Sequence, residues 1–461
     1  MYSLRSACLL FPLFLSAWAK PAASVSSVET RGFSDLISNL ESSLKAVGYL
    51  AQGITQDVTL LVSALRDVQD GKTDPVTTLE EALGSLGNVR NASDVGLVGV
   101  AIDVVTNGLA PKNILDLVKG LTNAPLNSMD NDNSEEPSGP IFPKKASDDA
   151  PYSLSEEELR KTIYIPDEFQ YGANGKRPVL LIPGTANAAG TTYYFNYEKL
   201  LSQSDFADPV WINIPGNTLA DIQVTAEYIA YAINYISGIS QDTKIGVIAW
   251  SQGSIDVQWT LKYWPSTRDS VDDFLVISGE FHGSLSAEPC LVQNPLCTPA
   301  IRQQGYDSNL IKTLLAEDGD SAYVPTTSVY SGIDELVAPQ VGPNASARLK
   351  DVRGVGVTNT QIQLACPGLP AGSLYTHDPM LINPLVYALF VDALTHEGPA
   401  DLSRVDLDTV CNQVLAPGLV LTDLLGTEVE VYVYNVIDFI SFGYTGSSEE
   451  PPIKDYARIS S

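Results

Sequence analysis

Five residues, Ala249-Trp250-Ser251-Gln252-Gly253, constrain this chain most tightly. Before them runs Lys244-Ile245-Gly246-Val247-Ile248-Ala249, an apolar run short enough for a buried strand. After them Ile255, Val257, Trp259, Leu261 and Trp264 continue as a helix until Pro265. Small residues at Ala249 and Gly253 let backbone approach a sharp turn, so Ser251 stands proud of the sheet edge with a helix N-terminus behind it. A nucleophile for acyl transfer needs such a place. The usual elbow has glycine on both flanks, and here alanine takes the first; the same pattern also occurs as a plain strand-to-helix turn.

Other residues complete a constellation. Upstream, Pro178-Val179-Leu180-Leu181-Ile182-Pro183-Gly184-Thr185 is a second buried strand ending in a Pro-Gly turn, where backbone N–H groups can face an oxyanion. Downstream, Val329-Tyr330-Ser331-Gly332-Ile333-Asp334-Glu335 sets an acid just past a β-rich segment, and His377 follows in Leu374-Tyr375-Thr376-His377-Asp378-Pro379. Ser, Asp, His is the chain order of an α/β-hydrolase triad. His377 would take the Ser251 proton during attack and return it to the departing alcohol, while Asp334 fixes the imidazole tautomer. Backbone N–H groups of Gln252 and Thr185 are the expected oxyanion donors. The chain has only three histidines. His282, in Phe281-His282-Gly283, could line the site, whereas His396 follows the apolar stretch Leu385 to Leu394 and suits the C-terminal carbonyls of a helix.

With these residues in view, the chain resembles the fungal lipases of the Candida antarctica lipase B family. The matching pieces are Leu181-Ile182-Pro183-Gly184-Thr185, Asp221-Ile222-Gln223-Val224-Thr225-Ala226-Glu227-Tyr228, and Trp250-Ser251-Gln252-Gly253 with Gln258-Trp259. Pro325-Thr326-Thr327, Tyr330-Ser331, Asp334-Glu335 and Pro339-Gln340-Val341 follow in the same order. The resemblance covers roughly residues 150 to 460. It implies an α/β-hydrolase with Ser251, Asp334 and His377 as triad and Thr185 and Gln252 as oxyanion hole. It also implies a pocket that Trp250 shapes on the alcohol side and Glu280 and Gln304 on the acyl side, with Glu280 standing for a shorter acid. Asp378-Pro379 departs from the small residues expected after the histidine, and Asp378 is read as a cap for the following helix rather than a carboxylate folded back on His377. In place of an alanine-rich flanking helix, Leu415 to Leu425 and Val429 to Phe442 form an apolar tract with β-branched and aromatic residues, so the pocket rim need not follow the family.

At 461 residues and 44% hydrophobic, the chain can bury a large core and more than one unit. Residues 1–19 carry Arg5, an apolar run and Ala17-Trp18-Ala19, the pattern of a signal peptide; the run is too short for a membrane anchor. Beyond it four cysteines remain, an even number for an oxidising compartment. Three pairings are possible. Spacing favours Cys290–Cys297 with Cys366–Cys411, and the second pair also matches a disulfide of the resembled family. Zinc is disfavoured by the absence of Cys-x-x-Cys pairs. Sequons at Asn91 and Asn344 permit N-glycosylation. A formal charge of -28 argues against nucleic acid and anionic lipid as partners.

Residues 20–130 have another texture. Phe33, Leu36, Ile37, Leu40, Leu44 and Val47, then Leu79, Leu83 and Leu86, then Ile114 to Leu121 recur at helical spacing, which suggests a helical unit, a pro-segment or lid-like cover. Residues 131–150 read as an acidic flexible linker with little to pack, and Lys144-Lys145 as either solvated lysines or a processing site. Ser153 to Glu158 has capping-box character and opens a short helix into a catalytic domain over 151–461. Strands are expected near 178–183, 210–214, 244–250, 273–278 and 326–331 in a mainly parallel sheet. The expected function is a secreted serine carboxylic-ester hydrolase, a lipase acting on lipophilic esters without metal or organic cofactor. An acyltransferase using the same acyl-enzyme and a catalytically silent binding protein of the same fold are the alternatives. Oligomeric state is not legible.

Overall fold

Runs such as Val179 to Ile182 and Ile245 to Trp250 are apolar on both faces of the pleat, which only a sheet covered by helices on both sides tolerates. The computed structural model has that arrangement. It describes residues 52–90, 92–114, 117, 125–290, 297–434 and 446–458, so the signal-peptide region, the 33–47 helical pattern and Asn91 lie outside the described residues.

Seven strands form one sheet: β1 (Ile163–Tyr164), β2 (Arg177–Ile182), β3 (Ala207–Ile212), β4 (Ile245–Trp250), β5 (Val271–Ile277), β6 (Thr326–Tyr330) and β7 (Val357–Gln361), in the order β1-β3-β2-β4-β5-β6-β7. All neighbours are parallel except β1, which runs antiparallel to β3. Five of these strands coincide with the apolar runs. β1 has too few residues to show a period, and the half-buried Val-Thr-Asn-Thr-Gln of β7 lacks an apolar run. The sequence order of strands and helices makes this an α/β-hydrolase fold.

Alternation along each strand feeds two cores. Leu180, Ile182, Val247, Ala249, Phe274 and Val276 face one side, where the helices Ile222–Ile239 and Gly253–Tyr263 pack. Val179, Leu181, Ile248, Trp250, Leu275 and Ile277 face the other. That second core also holds helix Pro384–Thr395 and the N-terminal helices α1 (Gln52–Gln69), α2 (Leu79–Leu86) and α3 (Ala92–Thr106). Leu61, Leu65, Val68, Val100, Val104 and Val105 are nearly fully buried in it. α3 packs on Val429–Tyr434, a π-helical turn continuing helix Leu421–Glu428, and the Leu374 side chain lies against Gly87 just after α2. Thr78 caps α2 with a complete capping box, as Ser155 does for Glu156–Arg160.

Residues 131–150 contain no helix or strand, yet they are not the loose connector their composition suggests. Asn133 Nδ2 donates to the carbonyls of Arg160 and Ile163 at 2.8 Å each, Glu136 pairs with Arg160 at 2.8 Å, and Tyr235 Oη donates to the Glu135 carbonyl at 2.7 Å. Lys145 Nζ donates to Ser270 Oγ at 2.9 Å and Asn234 Oδ1 at 3.2 Å, so it is tied to the domain surface rather than freely solvated. Polar residues that read as solvated in sequence here satisfy backbone groups of the domain they cross.

Candidate active site

Ser251 follows the last residue of β4 and holds φ at 57°, a left-handed conformation a serine adopts only where its surroundings dictate it. Its N–H bonds to the Ile277 carbonyl at 3.0 Å, and its carbonyl takes Ser254 Oγ at 2.7 Å, which closes the turn into helix Gly253–Tyr263. Two glycines make room. A Cβ on Gly184 would lie 2.9 Å from Ser251 Cβ and 2.7 Å from the Trp250 ring, and one on Gly253 would lie 2.7 Å from the Pro183 carbonyl oxygen. The alanine at position 249 points into the opposite core and is compatible with the turn.

Asp334 follows β6 by four residues, and its carboxylate accepts from the backbone N–H groups of Leu336 and Val337 at 3.0 and 2.7 Å through Oδ1. Its other oxygen lies 2.8 Å from His377 Nδ1, with both side chains fully buried. Nε2 of His377 is buried and has no hydrogen-bond partner among the described residues. Burial works against a charged imidazole, but the Asp334 carboxylate and nearby Glu335 outweigh it, so the His377 pKa stands above the ordinary histidine value. The Trp250 ring lies 5.1 Å from the imidazole, centre to centre. The site is deeply set: Ser251 is 7% exposed and His377 0%.

Thr185 follows β2. Its hydroxyl lies 2.8 Å from Gln252 Oε1 and 3.1 Å from Gln304 Oε1, and Gln304 Nε2 donates to Gln252 Oε1 at 2.7 Å. The backbone N–H groups of Thr185 and Gln252 donate to no group among the described residues. Glu280 is buried, and its N–H bonds to Ser254 Oγ at 2.9 Å. Burial, then the neighbouring Asp256 and Asp334, push the Glu280 carboxyl well above the usual range. The structure thus brings Ser251, Asp334, His377, Thr185, Gln252, Trp250, Glu280 and Gln304 to the carboxyl edge of the sheet, where open α/β sheets bind ligands.

The remaining histidines fall elsewhere. His282 Nδ1 lies 3.1 Å from the Ser346 carbonyl oxygen. His396 caps helix Pro384–Thr395, with Nδ1 2.9 Å from the Asp392 carbonyl oxygen. Asp378 does not cap its helix: the turn Pro379–Ile382 has no side-chain cap bond, and the Asp378 carboxyl is buried. Its pKa is driven well above the usual range by burial and by Glu335 and Glu428. Glu335, Ser278 and Tyr432, to which the sequence assigns no role in the site, contact His377 or one another. An acid directly after Asp334 was the available signal for the first. Cys366 and Cys411 are joined, closing a loop that contains His377. Cys297 is disulfide-bonded, and the side chain of its expected partner, Cys290, lies outside the described residues. Asn344 is exposed. No group of metal-binding side chains occurs among the described residues, and no described helix is long and apolar enough to cross a membrane.

No family model matches the chain. Lipase B of Pseudozyma antarctica is 35% identical over 204 residues, which are 43% of this chain and 58% of that protein, so the match spans less than two thirds of that relative's length. The crystal structure of Aspergillus fumigatus lipase B is 44% identical, superimposes with a TM-score of 0.84, and covers 92% of this chain and 100% of that one. The chain belongs to the lipase B family. It shares that family's α/β-hydrolase fold, in which relatives named as lipases place it among carboxylic-ester hydrolases. The share of this chain matched by the Aspergillus lipase is more than twice that matched by the Pseudozyma one.

Proposed function

We propose that this protein is a secreted lipase that cleaves lipophilic carboxylic esters through an acyl-enzyme on Ser251. The observation that carries the reading is the strained Ser251 turn beside a buried histidine whose Nδ1 is held by Asp334 and whose Nε2 is left unpaired. Ser251 Oγ attacks the ester carbonyl carbon as His377 Nε2 takes its proton. The proton passes to the alkoxide oxygen as the ester C–O bond breaks and the alcohol leaves. Water then gives a proton to His377 and attacks the acyl carbon, and Ser251 recovers its proton as the acid departs. The N–H groups of Gln252 and Thr185 hold the developing oxyanion, and the Thr185 hydroxyl joins them by turning away from Gln252 or Gln304. No cofactor is required by this chemistry.

Ser251 is only 7% exposed, so the approach to it for an acyl chain is narrow. We further propose that residues 20–130 act as a cover: α3 bears on Val429–Tyr434, and Leu374, three residues before His377, lies against the end of α2. Weakening that packing with Val100→Ala and Val104→Ala should raise kcat/KM for bulky water-soluble esters and leave small acetates little changed. Equal rates for both substrates in both proteins would argue against a cover.

The central test is labelling by a fluorophosphonate together with p-nitrophenyl ester turnover. Ser251→Ala should fold and lose both, and His377→Ala should lose turnover by several powers of ten, roughly 10⁴-fold or more. Labelling of Ser251→Ala at the parent's rate would remove the nucleophile, and near-normal kcat in His377→Ala would remove the base.

A further inference from the structure

Behind His377 lies a set of side chains for which the acyl-transfer steps have no use. The His377 N–H donates to Glu335 Oε2 at 2.7 Å, and the His377 carbonyl accepts from Ser278 Oγ at 3.0 Å. Ser278 is the first residue past β5. Both polar groups of the histidine's own backbone are therefore tied to side chains, one at the end of β5 and one on the loop after β6. The Asp334 bond orients the ring, but it does not fix the loop that carries it. A proton acceptor on a loop loses its aim when its Cα drifts, because reacting atoms must stay within a narrow range of distance and angle.

Glu335 is placed at a cost. It is 4% exposed, and among the described residues no lysine or arginine pairs with it. Burial and the adjacent Asp334 raise its pKa above the ordinary carboxylate value. Its second oxygen, Oε1, takes the hydroxyl of Tyr432, which belongs to the π turn under α3. The carboxyl thus ties the backbone of the base to a neighbouring segment, with one oxygen on each.

We propose that Glu335 is a positioning residue for His377, holding the backbone of the base so that Nε2 stays aimed at Ser251, and that Tyr432 in turn fixes the Glu335 carboxyl. This rests on the triad reading given above. The role asks for an acceptor oxygen and not for a charge. An amide at position 335 satisfies it, since its oxygen accepts the His377 N–H and its NH2 group donates to the Tyr432 oxygen.

The test uses the full chain, a short water-soluble ester and phosphonate titration of the serine, with Glu335→Ala, Glu335→Gln and Tyr432→Phe beside Ser251→Ala. Glu335→Ala should lower kcat by about 10²-fold with little change in KM, still titrating one serine slowly. Glu335→Gln should recover most of that loss, and Tyr432→Phe should lower kcat by less than Glu335→Ala, again without raising KM. A parental kcat in Glu335→Ala overturns the proposal, as does a loss equal in the Ala and Gln variants, or one carried by KM. Should Glu335→Ala fail to fold, the isosteric variants decide: a parental Glu335→Gln with a lowered kcat in Tyr432→Phe supports the role, and any other pattern overturns it. Activity surviving in Ser251→Ala would instead overturn the triad reading, whereas a silent Ser251→Ala beside a normal Glu335→Ala overturns only this inference.

Discussion

Buried carboxylates are treated in opposite ways in two parts of this molecule. Away from the site, Glu227 is fully buried and accepts from the Ser153 N–H at 2.5 Å, Ser153 Oγ at 2.7 Å and Lys454 Nζ at 2.6 Å. Asp392 likewise takes Arg404 Nε at 2.8 Å, Arg404 Nη2 at 2.7 Å and the Asp401 N–H at 2.8 Å. Beside His377, Glu335, Asp378 and Glu428 sit together, and Glu428 Oε1 is unpartnered among the described residues. The first region surrounds its carboxylates with donors; in the second, burial and the neighbouring carboxyls raise the pKa of all three groups. Such a cluster of acids is tolerated where the positions of side chains answer to chemistry before stability.

The largest effect that would separate the two regions is on turnover. Asp334 belongs to the site, and Asp334→Asn leaves shape and volume intact while presenting His377 Nδ1 with the wrong partner. Its kcat should fall by about 10⁴-fold with the thermal midpoint little changed. An Asp334→Asn protein of parental activity would mean that the Nδ1 bond serves packing alone.

Next comes stability in the paired region. Lys454→Ala removes the cation from Glu227 and leaves a carboxylate buried with only neutral donors. Because the Lys454 side chain is 24% exposed, water softens the loss, and about 3 kcal/mol is expected, the lower end for a broken buried pair. Activity of the folded fraction should be unchanged. Urea unfolding at neutral pH measures it, and a cost below about 1 kcal/mol would place this pair with ordinary surface salt bridges.

The acid cluster should respond to pH with the opposite sign. Burial, followed by Glu335, raises the Glu428 pKa well above the usual range, so the favourable contribution of its neutral form is complete below the unfolded value. It is then lost as pH rises through the folded one. Glu428→Gln keeps a neutral side chain at every pH. The variant should match the parent near pH 4 and exceed it at pH 8 by about 1–2 kcal/mol, a range set by the cost of an unsatisfied buried polar group. A stability gap that stays constant with pH would show that Glu428 is already satisfied in the parent.

These contrasts mark where the sequence was readable. Five strands and the Ser251 turn were legible because continuous apolar runs and small turn residues are local signals. The Ser251, Asp334, His377 order added a long-range one, and the structure brings the three to one edge. His396 was placed correctly because a helix end announces itself one residue at a time. Asp378 was misread because the rule for an acid before a proline-led turn is local, while its actual surroundings, Glu335 from the β6 loop and Glu428 from a helix fifty residues later, are set by tertiary packing. Residues 131–150 were misread for the same reason: their partners, Arg160, Tyr235 and Ser270, are distant in sequence.

The smallest effect belongs to His396, and it tests the pairing rule from the other side. Its side chain is 51% exposed, with Nδ1 2.9 Å from the Asp392 carbonyl oxygen and 3.3 Å from Asp392 Oδ1. Its removal leaves Asp392 with both Arg404 contacts and the Asp401 N–H, so no buried charge is stranded. What is lost is a donor near a helix C-terminus, worth about 0.3–1 kcal/mol at an exposed site. Despite the opposing effect of burial, Arg404 and the Asp401 N–H hold the Asp392 pKa below its ordinary value. Its contribution is therefore present above the unfolded pKa and lost as pH falls through the folded one, the reverse of Glu428. His396→Ala should keep that acid-side loss and the parent's kcat, with a slightly lower thermal midpoint at neutral pH. A cost as large as that of Lys454→Ala would mean that His396, and not Arg404, carries the burial of Asp392. Loss of turnover would move the catalytic base from His377 to the far end of this helix.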